Sequence, residues 1–497
     1  MTAAALLPTP DVSFDGGDLD CGNGLLLLIR RHIDPLPRGG ILQILSTEIS
    51  VEEDLPAWCR LTGNEFLSMA REGSHRRYLV CKGGLAERDA QQPRRDPVPA
   101  RAARRTARSS APVPPVPALA VMSMGSWPRP RWMAEAVHAH VEGRLGEAEF
   151  HETADDAVRL AMQAQSAAGT DVITDGEQRR DSYASFVATR LENCQLIPLT
   201  DLLPLVDHPE EFAAELRALD IPAGEVRHPA VFGRLERRRP LAAHEVDFAR
   251  SLTDAPVKVA LPGPYLLART MWMECISDQA YADREDIAAD IVTVLRAELA
   301  ECLEAGAALV QFDEPVLSEV VFSGPKARRS FMCGALSETL SPEHELGFAR
   351  DLLNAVLEGF PQERTALHVC RGNWTPDESL ALSGGYAPLL GMLSQVHVGA
   401  YLLEAATPRA GGIEVLQGLP DTARIGVGVV NQKLGRTETE EEIADRIGRA
   451  IGLFGRDRLL LHPDCGFATF ADSPICCGSG AAEKIAAIRQ AADRFFP

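Results

Sequence analysis

Two short motifs near the ends of apolar runs carry the residue types that a catalytic zinc ion requires. His368 and Cys370 are separated by one residue, and Cys465 lies in a later Pro-Asp-Cys-Gly motif. Because strand side chains alternate between faces, His368 and Cys370 point the same way on one strand. Glu404, at the end of another apolar run, and Cys465 are the candidates for the third and fourth ligands. The alternative is that these are ordinary buried cysteines, since a free Cys packs as a small hydrophobe.

A sulfur-rich ligand set favours one kind of reaction. A zinc ion that keeps one exchangeable position can bind a substrate thiol and lower its pKa, giving a thiolate at neutral pH. Such a thiolate attacks carbon electrophiles. A zinc hydrolase would more often use His ligands with a carboxylate base. The motifs therefore indicate transfer of an alkyl group to sulfur.

The C-terminal part of the chain contains eight strand-like apolar runs separated by segments of helical length. This alternation predicts an α/β fold with parallel strands, and eight units suggest a closed (β/α)8 TIM barrel. A doubly wound open sheet is the alternative, but no glycine-rich phosphate loop follows the first run. We expect the long segment 178–256 to be a helical insertion. The runs are Leu119–Ser126, Asp171–Glu177, Val257–Pro264, Ala308–Pro315, Thr365–Gly372, Val396–Glu404, Arg424–Asn431 and Leu459–Gly466.

Polar side chains lie at the carboxyl ends of these runs, where a barrel places its active site. Besides the candidate metal ligands they include Ser126, Glu177, Asp313 and Glu314. The three acidic residues suit recognition of a substrate ammonium group, or could hold another ligand in place. A salt bridge at the rim of the barrel would explain any one of them equally well.

Length and composition predict two structured domains joined by a linker. A chain of 497 residues is too long for one ordinary domain. Residues 84–117 contain seven Pro and seven Arg with few apolar side chains, which predicts an extended, disordered linker. We therefore expect a small domain over residues 9–83, a two-layer α/β sandwich, and the large barrel over residues 118–497.

The overall composition excludes several classes of protein. A formal net charge of −20 argues against nucleic-acid binding, which needs basic surfaces. No apolar run approaches the ~18 residues that span a bilayer, so we expect no membrane association. The N-terminus lacks the pattern of a signal peptide. Eleven unevenly spaced cysteines fit free thiols in a reducing cytoplasm, where we place the protein.

Residues 118–497 resemble the catalytic barrel of cobalamin-independent methionine synthase. The matching motifs occur in the family's order and extend over the whole predicted barrel. They are Met124-Gly-Ser-Trp-Pro, Asp175-Gly-Glu, Ser251-Leu-Thr-Asp-Ala-Pro-Val-Lys, Leu261-Pro-Gly-Pro, Gln311-Phe-Asp-Glu-Pro, His368-Val-Cys370, Glu404, Ile425-Gly-Val-Gly-Val and Pro463-Asp-Cys-Gly.

The resemblance implies a zinc-dependent methyltransferase that converts homocysteine to methionine. In that family the methyl donor is a methylated polyglutamyl folate. The implied zinc ligands are His368, Cys370, Glu404 and Cys465. The residues implied to bind the amino-acid part of homocysteine are Ser126, Glu177 and Asp313.

Three departures from the family pattern concern the methyl donor. Full-length members carry a second, N-terminal barrel that helps to bind the folate, and this sequence has no match to it. A histidine that acts as proton donor is replaced by Lys433, which could hold a charge or contact an anion. The tryptophan expected directly after Gly-Pro is absent, and Trp272 lies a few residues later. The donor therefore stays open between a folate and a methyl-carrying corrinoid protein. An epoxide is a further alternative, as in the similar single-barrel enzymes that join coenzyme M to epoxides.

Residues 11–83 resemble TusA/SirA-type sulfur carriers, which hold a persulfide on a cysteine at a helix N-terminus. The helix dipole lowers the pKa of a thiol at that position. Cys21 matches this cysteine, but the family's Cys-Pro-x-Pro turn reads Cys-Gly-Asn-Gly here. The alternatives are thus a sulfur relay through Cys21, supplied by a sulfurtransferase partner, or a degenerate docking module. A zinc-binding scaffold without turnover remains the least specific hypothesis for the whole chain.

Overall fold

The computed structural model describes residues 8–21, 24–89, 112–202, 227–272, 280–322, 340–471 and 473–496. These residues form two compact units. The smaller unit takes residues 8–89, 197–202 and 227 of the described chain, and the larger takes 112–196 and 228–496. Most of the predicted linker, residues 90–111, lies outside the described residues.

The smaller unit is a four-stranded mixed sheet with two helices against it. The strand order is β1-β2-β4-β3, in which β1 and β2 are parallel and the other neighbours are antiparallel. Apolar side chains of helices α1 and α2 share one buried cluster with the sheet, which gives two layers. Helix α2 ends at Gly63, whose φ of 69° is the left-handed conformation that favours glycine after a helix. The elements are β1 Val12–Asp15, α1 Leu25–Ile33, β2 Ile41–Ser46, α2 Val51–Thr62, β3 Glu65–Glu72, β4 His75–Cys81 and α3 Ala86–Asp89.

The larger unit is built on a curled sheet of seven parallel strands in the order β5-β13-β12-β11-β10-β9-β8. Two further parallel bridges, Met122 to Val172 and Ile173 to Val257, connect the two outer strands through the second predicted run. That run forms these single bridges instead of a regular strand. The strands are β5 Ala120–Val121, β6 Leu191–Pro198, β7 Arg227–Arg237, β8 Lys258–Pro262, β9 Leu309–Asp313, β10 Thr365–Val369, β11 Ala400–Leu403, β12 Arg424–Val430 and β13 Leu459–Pro463.

Helices connect these strands, as the alternating pattern predicts. Two of the longer ones begin at residues that satisfy free backbone N–H groups: Asp283 accepts from the N–H of Asp286, and Thr439 and Glu442 form a capping box. The helices are α4 Arg131–Val141, α5 Glu147–Ala167, α6 Leu199–Leu202 (in the smaller unit), α7 Ala243–Arg250, α8 Pro264–Met271, α9 Arg284–Glu304, α10 Val316–Phe322, α11 Pro342–Leu357, α12 Ala387–Leu393, α13 Glu440–Phe454 and α14 Gly478–Asp493. Short 3-10 helices cover Ser185–Arg190, Gln362–Arg364, Glu378–Leu380, Pro408–Ala410, Ile413–Gly418 and Arg456–Arg458.

The described part of segment 178–256 differs from the expected helical insertion, and residues 203–226 lie outside the described residues. The described part contains strands β6 and β7, which pair in a two-stranded sheet, the 3-10 helix Ser185–Arg190 and the short helices α6 and α7. The β-branched and aromatic residues Val231 and Phe232 in β7 are typical of strands, and this local preference was missed.

A layer of apolar side chains fills the inside of the curled sheet below its carboxyl edge. Ala366 of β10 packs there with Leu402 of β11 and Leu460 of β13. Because side chains alternate along a strand, the residues two and four positions after Ala366 face the same interior. These residues are His368 and Cys370, so the sheet itself directs both candidate ligands inward.

Candidate metal centre and substrate cavity

The structure brings three of the predicted metal ligands together. His368 lies near the end of β10, Cys370 follows that strand, and Cys465 follows β13. Their ligand atoms all lie within 4.8 Å of one another, and the His368 Nε2 to Cys465 Sγ distance is 3.5 Å. His368 and Cys370 are buried, and Cys465 is partly exposed. Nitrogen and sulfur donors this close together can hold a soft or borderline metal ion.

The backbone fixes the orientation of the His368 ring. Its Nδ1 lies 2.9 Å from the carbonyl oxygen of Leu402, the residue in register with it on the neighbouring strand. An N–H at Nδ1 donating to this carbonyl leaves the lone pair of Nε2 directed at the two sulfur atoms. The tautomer that metal binding needs is thus selected by strand pairing.

The two thiols titrate as a pair. The hydrogen bond from Cys465 lowers the pKa of Cys370, and His368 lowers it further. The same hydrogen bond raises the pKa of Cys465, with burial adding to the effect. A divalent cation would displace the thiol protons and bind both sulfur atoms as thiolates.

Glu404, the fourth predicted ligand, does not join the three-residue group among the described residues. Its Oε2 accepts the backbone N–H of Arg371 at 2.9 Å. Its Oε1 accepts from the guanidinium of Arg409 at 2.5 and 3.2 Å. The carboxylate is buried at the carboxyl end of β11 and is engaged through both oxygens.

A cavity of about 440 Å³ opens beside the three ligands. The predicted substrate-binding residues Ser126, Glu177 and Asp313 line it together with the metal-ligand candidates. The other lining residues are Met124, Tyr183, Gln311, Pro315, Asn373, Trp374, Gly466 and Thr469. We call the part of the cavity wall that carries Glu177 and Asp313 its acidic end, and Asp313 is in register with His368 on the neighbouring strand.

The acidic end of the cavity has an unusual charge balance. Burial raises the pKa of Glu177 to about 7, although Arg180 nearby opposes the shift. Burial also raises the pKa of Asp313, whose Oδ1 accepts from the amide of Gln311 at 2.6 Å. Lys258 donates to that same amide group and to the Met124 carbonyl, and burial lowers the pKa of this lysine to about 7. A bound ammonium group would stabilise both carboxylates in their charged form.

Backbone geometry also marks Glu177 as a residue held for function. Its φ of 54° is uncommon outside glycine, and its Oε2 has no hydrogen-bond partner among the described residues. Gly125 makes room for the side chain, because a Cβ at that position would lie 2.2 Å from Glu177 Oε1. Strain and an unsatisfied buried oxygen together are typical of a binding site.

Lys433 lies on the loop that follows β12. Its side chain is buried, and its Nζ has no hydrogen-bond partner among the described residues. Burial lowers the pKa of Lys433, and the nearby charge of Arg409 lowers it further, whereas Cys465 and Cys370 oppose the shift. A buried, unpaired ammonium within electrostatic range of the metal-ligand candidates is available to an anion or to a leaving group.

A shared carboxylate ties together the loops that carry Glu404 and Cys465. Asp464 Oδ1 accepts the backbone N–H groups of Ala405 and Ala406, both at 2.8 Å. Gly428 allows this approach, because a Cβ there would lie 2.0 Å from the Asp464 oxygen. The Pro-Asp-Cys-Gly motif therefore fixes two strand ends at once.

Several residues of the site were not found by sequence reasoning. Lys258 is the last residue of a motif that resembles the family, but the sequence analysis gave it no function. Its position in that motif could have identified it as a residue of the site. Arg409 lies in the short 3-10 helix Pro408–Ala410 and Trp374 in a loop, and no periodic pattern points to them. Trp272, which follows the Gly-Pro motif by a few residues, is not among the residues that line the cavity, whereas Trp374 is.

Cys21 lies in a different environment from the cavity thiols. Burial, and then the carboxylates of Asp54 and Asp20, raise the pKa of Cys21 to about 12. This opposes the thiolate that a sulfur carrier uses. The turn residues Gly22 and Asn23 lie outside the described residues.

The fold and the site define an α/β enzyme in which one histidine and two cysteines are placed to hold a metal ion at the carboxyl ends of parallel strands. A family model described as the catalytic domain of cobalamin-independent synthase matches residues 215–340 and 366–487. The methionine synthases of Sulfurisphaera tokodaii and Saccharolobus solfataricus are 26% and 24% identical to this chain, each over 352 residues. Each alignment covers 71% of this chain, with 86% of the first relative and 89% of the second.

A solved structure shows the same fold. The B12-independent methionine synthase of Shewanella sp. W3-18-1, in complex with selenomethionine, superimposes with a TM-score of 0.58 at 22% identity. The alignment covers 76% of this chain and 98% of that protein. The chain belongs to the cobalamin-independent methionine synthase family, and it is a methyltransferase.

Among the helices that the structure describes, none combines the length and apolar character needed to cross a membrane.

Proposed function

We propose that this chain is a zinc-dependent methyltransferase that transfers a methyl group to the thiol of homocysteine and so forms methionine. The observation that carries the proposal is the group formed by His368, Cys370 and Cys465 beside a cavity that Glu177 and Asp313 also line. Family membership supports the reaction class.

Zinc suits the donor set better than the harder divalent cations, which prefer oxygen. Tetrahedral zinc with bonds of about 2.0 Å to nitrogen and 2.3 Å to sulfur places the two donors roughly 3.5 Å apart. The His368 to Cys465 separation is 3.5 Å. Zinc bound here would lower the pKa of a substrate thiol and make it nucleophilic at neutral pH.

The amino-acid part of homocysteine would occupy the acidic end. Glu177 and Asp313 would bind the ammonium group, and the Ser126 hydroxyl, which accepts from the N–H of Ala468 at 3.2 Å, would donate to the carboxylate. Binding at this end directs the thiol toward His368 and the two cysteines. In the transfer, the thiol loses its proton, the sulfur–carbon bond forms, and the bond from the methyl group to its donor breaks.

Lys433 would act on the donor side. Its buried ammonium can stabilise negative charge on the departing group or give it a proton. The donor is a methylated folate or a methyl-carrying corrinoid protein. The proposal also includes a closed (β/α)8 barrel, a zinc site that includes Glu404, a TusA/SirA-like domain over residues 9–83 and a linker over 84–117. A sulfur relay, in which Cys21 would accept sulfur from a sulfurtransferase, is the alternative function.

A cytoplasmic location is part of the proposal. The nine cysteines that the structure describes are all free thiols, which suits a reducing compartment. Cys275 and Cys333 lie outside the described residues.

Substrate-resolved assays test this function directly. The metal-free protein is supplied with homocysteine and, in separate reactions, with a methyl-folate, methylcobalamin or an epoxide, each with and without added zinc. We expect methionine in a zinc-dependent reaction with one of the two methyl donors. Product from the epoxide alone would place the chain with alkyl transferases of the coenzyme M type. No product under any condition, from protein that binds stoichiometric zinc, would favour an inert scaffold.

A further inference from the structure

Lys258 is a buried lysine whose hydrogen bonds go to the wall of the substrate cavity. It is the first residue of β8 and is almost fully buried. Its Nζ donates to the side-chain oxygen Oε1 of Gln311 at 2.6 Å and to the backbone carbonyl of Met124 at 3.0 Å. Both partners line the cavity, whereas Lys258 is not among the lining residues. The lysine therefore supports the cavity wall without being placed to touch a ligand.

The Gln311 amide lies between Lys258 and the carboxylate of Asp313, which fixes its orientation. The ammonium of Lys258 can only donate a hydrogen bond, so it takes the amide oxygen. An ionised carboxylate can only accept one, so it takes the amide NH2 group, and Gln311 Nε2 donates to Asp313 Oδ1 at 2.6 Å. Gln311 and Asp313 are two positions apart on β9, and strand side chains with this spacing lie on one face. One oxygen of Asp313 is thus held, and Oδ2 is the oxygen available to an ammonium group.

The charge of Lys258 acts in the same direction as its hydrogen bonds. Glu177 and Asp313 are both buried at the acidic end, and the charge of Asp313 helps to raise the pKa of Glu177. The cation of Lys258 opposes the rise in the pKa of Asp313, for which burial is the main cause. A lysine at this position therefore favours an Asp313 carboxylate that is charged as well as correctly oriented.

We propose that Lys258 is a positioning residue that sets the preference of the cavity for a thiol carrying an α-ammonium group. Through the amide of Gln311 it holds Asp313 in the orientation that accepts this ammonium. A buried carboxylate that is held in place discriminates strongly against a ligand without the ammonium, because such a ligand leaves it without a partner. The inference rests on the proposed function, in which Glu177 and Asp313 bind the amino-acid part of homocysteine.

The experiment compares two ligands that differ only in the amino group. Methionine and its analogue without that group, 4-(methylthio)butanoate, are titrated calorimetrically into the full chain in the presence of zinc. The proteins are the wild type, Lys258→Met, Gln311→Met and the double variant. Both substitutions nearly keep the side-chain volume and remove the polar atoms, and circular dichroism checks that each variant folds.

Lys484→Met is the matched control. Lys484 is another buried lysine of the larger unit, and its Nζ also donates to two carbonyl oxygens, those of Asn431 at 3.1 Å and Arg436 at 2.7 Å. It is not among the residues that line the cavity. Its substitution therefore reproduces the loss of a buried ammonium but should keep the wild-type preference between the two ligands.

We expect the wild type to bind methionine about 100-fold or more tightly than the analogue. Lys258→Met and Gln311→Met should each reduce this preference by about tenfold, through weaker binding of methionine, with less than about a threefold change for the analogue. The double variant should resemble Gln311→Met, since Lys258 acts through that amide. In methyl transfer, the KM for homocysteine should rise by about tenfold while kcat changes by less than about threefold.

The outcomes separate the failure of this inference from the failure of the proposed function. An unchanged preference in folded Lys258→Met or Gln311→Met, with a wild type that prefers methionine, would overturn the role of Lys258 alone. If Lys258→Met does not fold, Gln311→Met provides the test, because it interrupts the same contact and leaves the lysine in place. A wild type that binds methionine no more tightly than the analogue would contradict binding of homocysteine at the acidic end, and the inference would fail with it.

Discussion

The two units of this chain each hold a pair of cysteines, and the two pairs have different neighbours. Hydrogen bonds from Cys465 and His368 lower the pKa of Cys370, whereas the contact with Cys370 raises the pKa of Cys465. Cys21 and Cys59 belong to the apolar core of the smaller unit, and burial is the main cause that raises the pKa of each to about 12. Residue type alone therefore does not make a cysteine reactive. The neighbours that the fold supplies decide it.

The architecture explains the contrast. Parallel strands bring Cys370 and Cys465 to one edge from positions 95 residues apart, and strand pairing orients the His368 ring. Cys21 instead precedes a helix that begins at Gly24 in the left-handed conformation, with φ of 107° and no side-chain cap. The carboxylates of Asp20 and Asp54 add a repulsive charge there. In the larger unit His368 lowers the pKa of Cys370, whereas in the smaller unit Asp54 and Asp20 raise the pKa of Cys21.

Removing one ligand of the larger unit should have the largest effect. We expect Cys370→Ser to lower zinc affinity by about 100-fold or more and to abolish methyl transfer, because the metal loses a thiolate. Metal content by mass spectrometry and methionine formation measure this. Cys477→Ser removes an exposed thiol and should leave both unchanged. If the Cys370→Ser enzyme keeps full zinc content and full activity, Cys370 is not a metal ligand, and the contrast between the two cysteine pairs does not hold.

The acidic end of the cavity should bind the amino acid in a pH-dependent way. Methionine, which has no thiol proton, isolates this effect in calorimetric titrations. Glu177, with a pKa of about 7, is neutral below that pH and charged above it, so methionine affinity should rise with pH through about 7. Glu177→Gln should remove this dependence and weaken binding by about 10-fold to 100-fold. Glu142→Gln, at an exposed ion pair, serves as the control, and an unaltered pH profile in Glu177→Gln would contradict the assignment.

Substitution of Lys433 should affect turnover more than metal binding. Lys433→Met should lower kcat by about tenfold to 100-fold, the range for a general acid or a charge contact, with zinc content unchanged. Burial lowers the pKa of Lys433, and its cation is lost as pH rises, so the wild type should lose activity on the basic side. If only charge matters, Lys433→Arg should keep activity to higher pH. If a proton is transferred, Lys433→Arg should resemble Lys433→Met.

The smallest effect is expected in the smaller unit. Cys21→Ser should change the rate of methyl transfer by less than about twofold when free homocysteine is supplied, because this thiol is protonated and packed. A loss of activity comparable to that of Cys370→Ser would show that the smaller unit takes part in the reaction and would support a sulfur relay.

Much of the larger unit could be predicted because its signals are local and repeated. The pattern from Ile287 to Leu303 anticipates helix α9 closely, and polar residues after apolar runs anticipate the cavity. The partners of Glu404 could not be predicted in this way. Arg409 reaches it from the short 3-10 helix Pro408–Ala410, and the Arg371 contact uses a backbone N–H that carries no side-chain signature. In segment 178–256, which is described only in part, the strand-forming residues of β7 were missed.

The bridge that Asp464 makes to Ala405 and Ala406 has a consequence for the metal-free protein. The ends of β11 and β13 share the Asp464 carboxylate, so they keep their spacing when no ion is bound. The free-energy cost of bringing the ligands together is therefore met when the protein folds. A cation should then bind to a preformed site. We expect fast binding and little change in amide hydrogen exchange along β11 and β13. Loss of the ion should empty the centre without unfolding the strands around it.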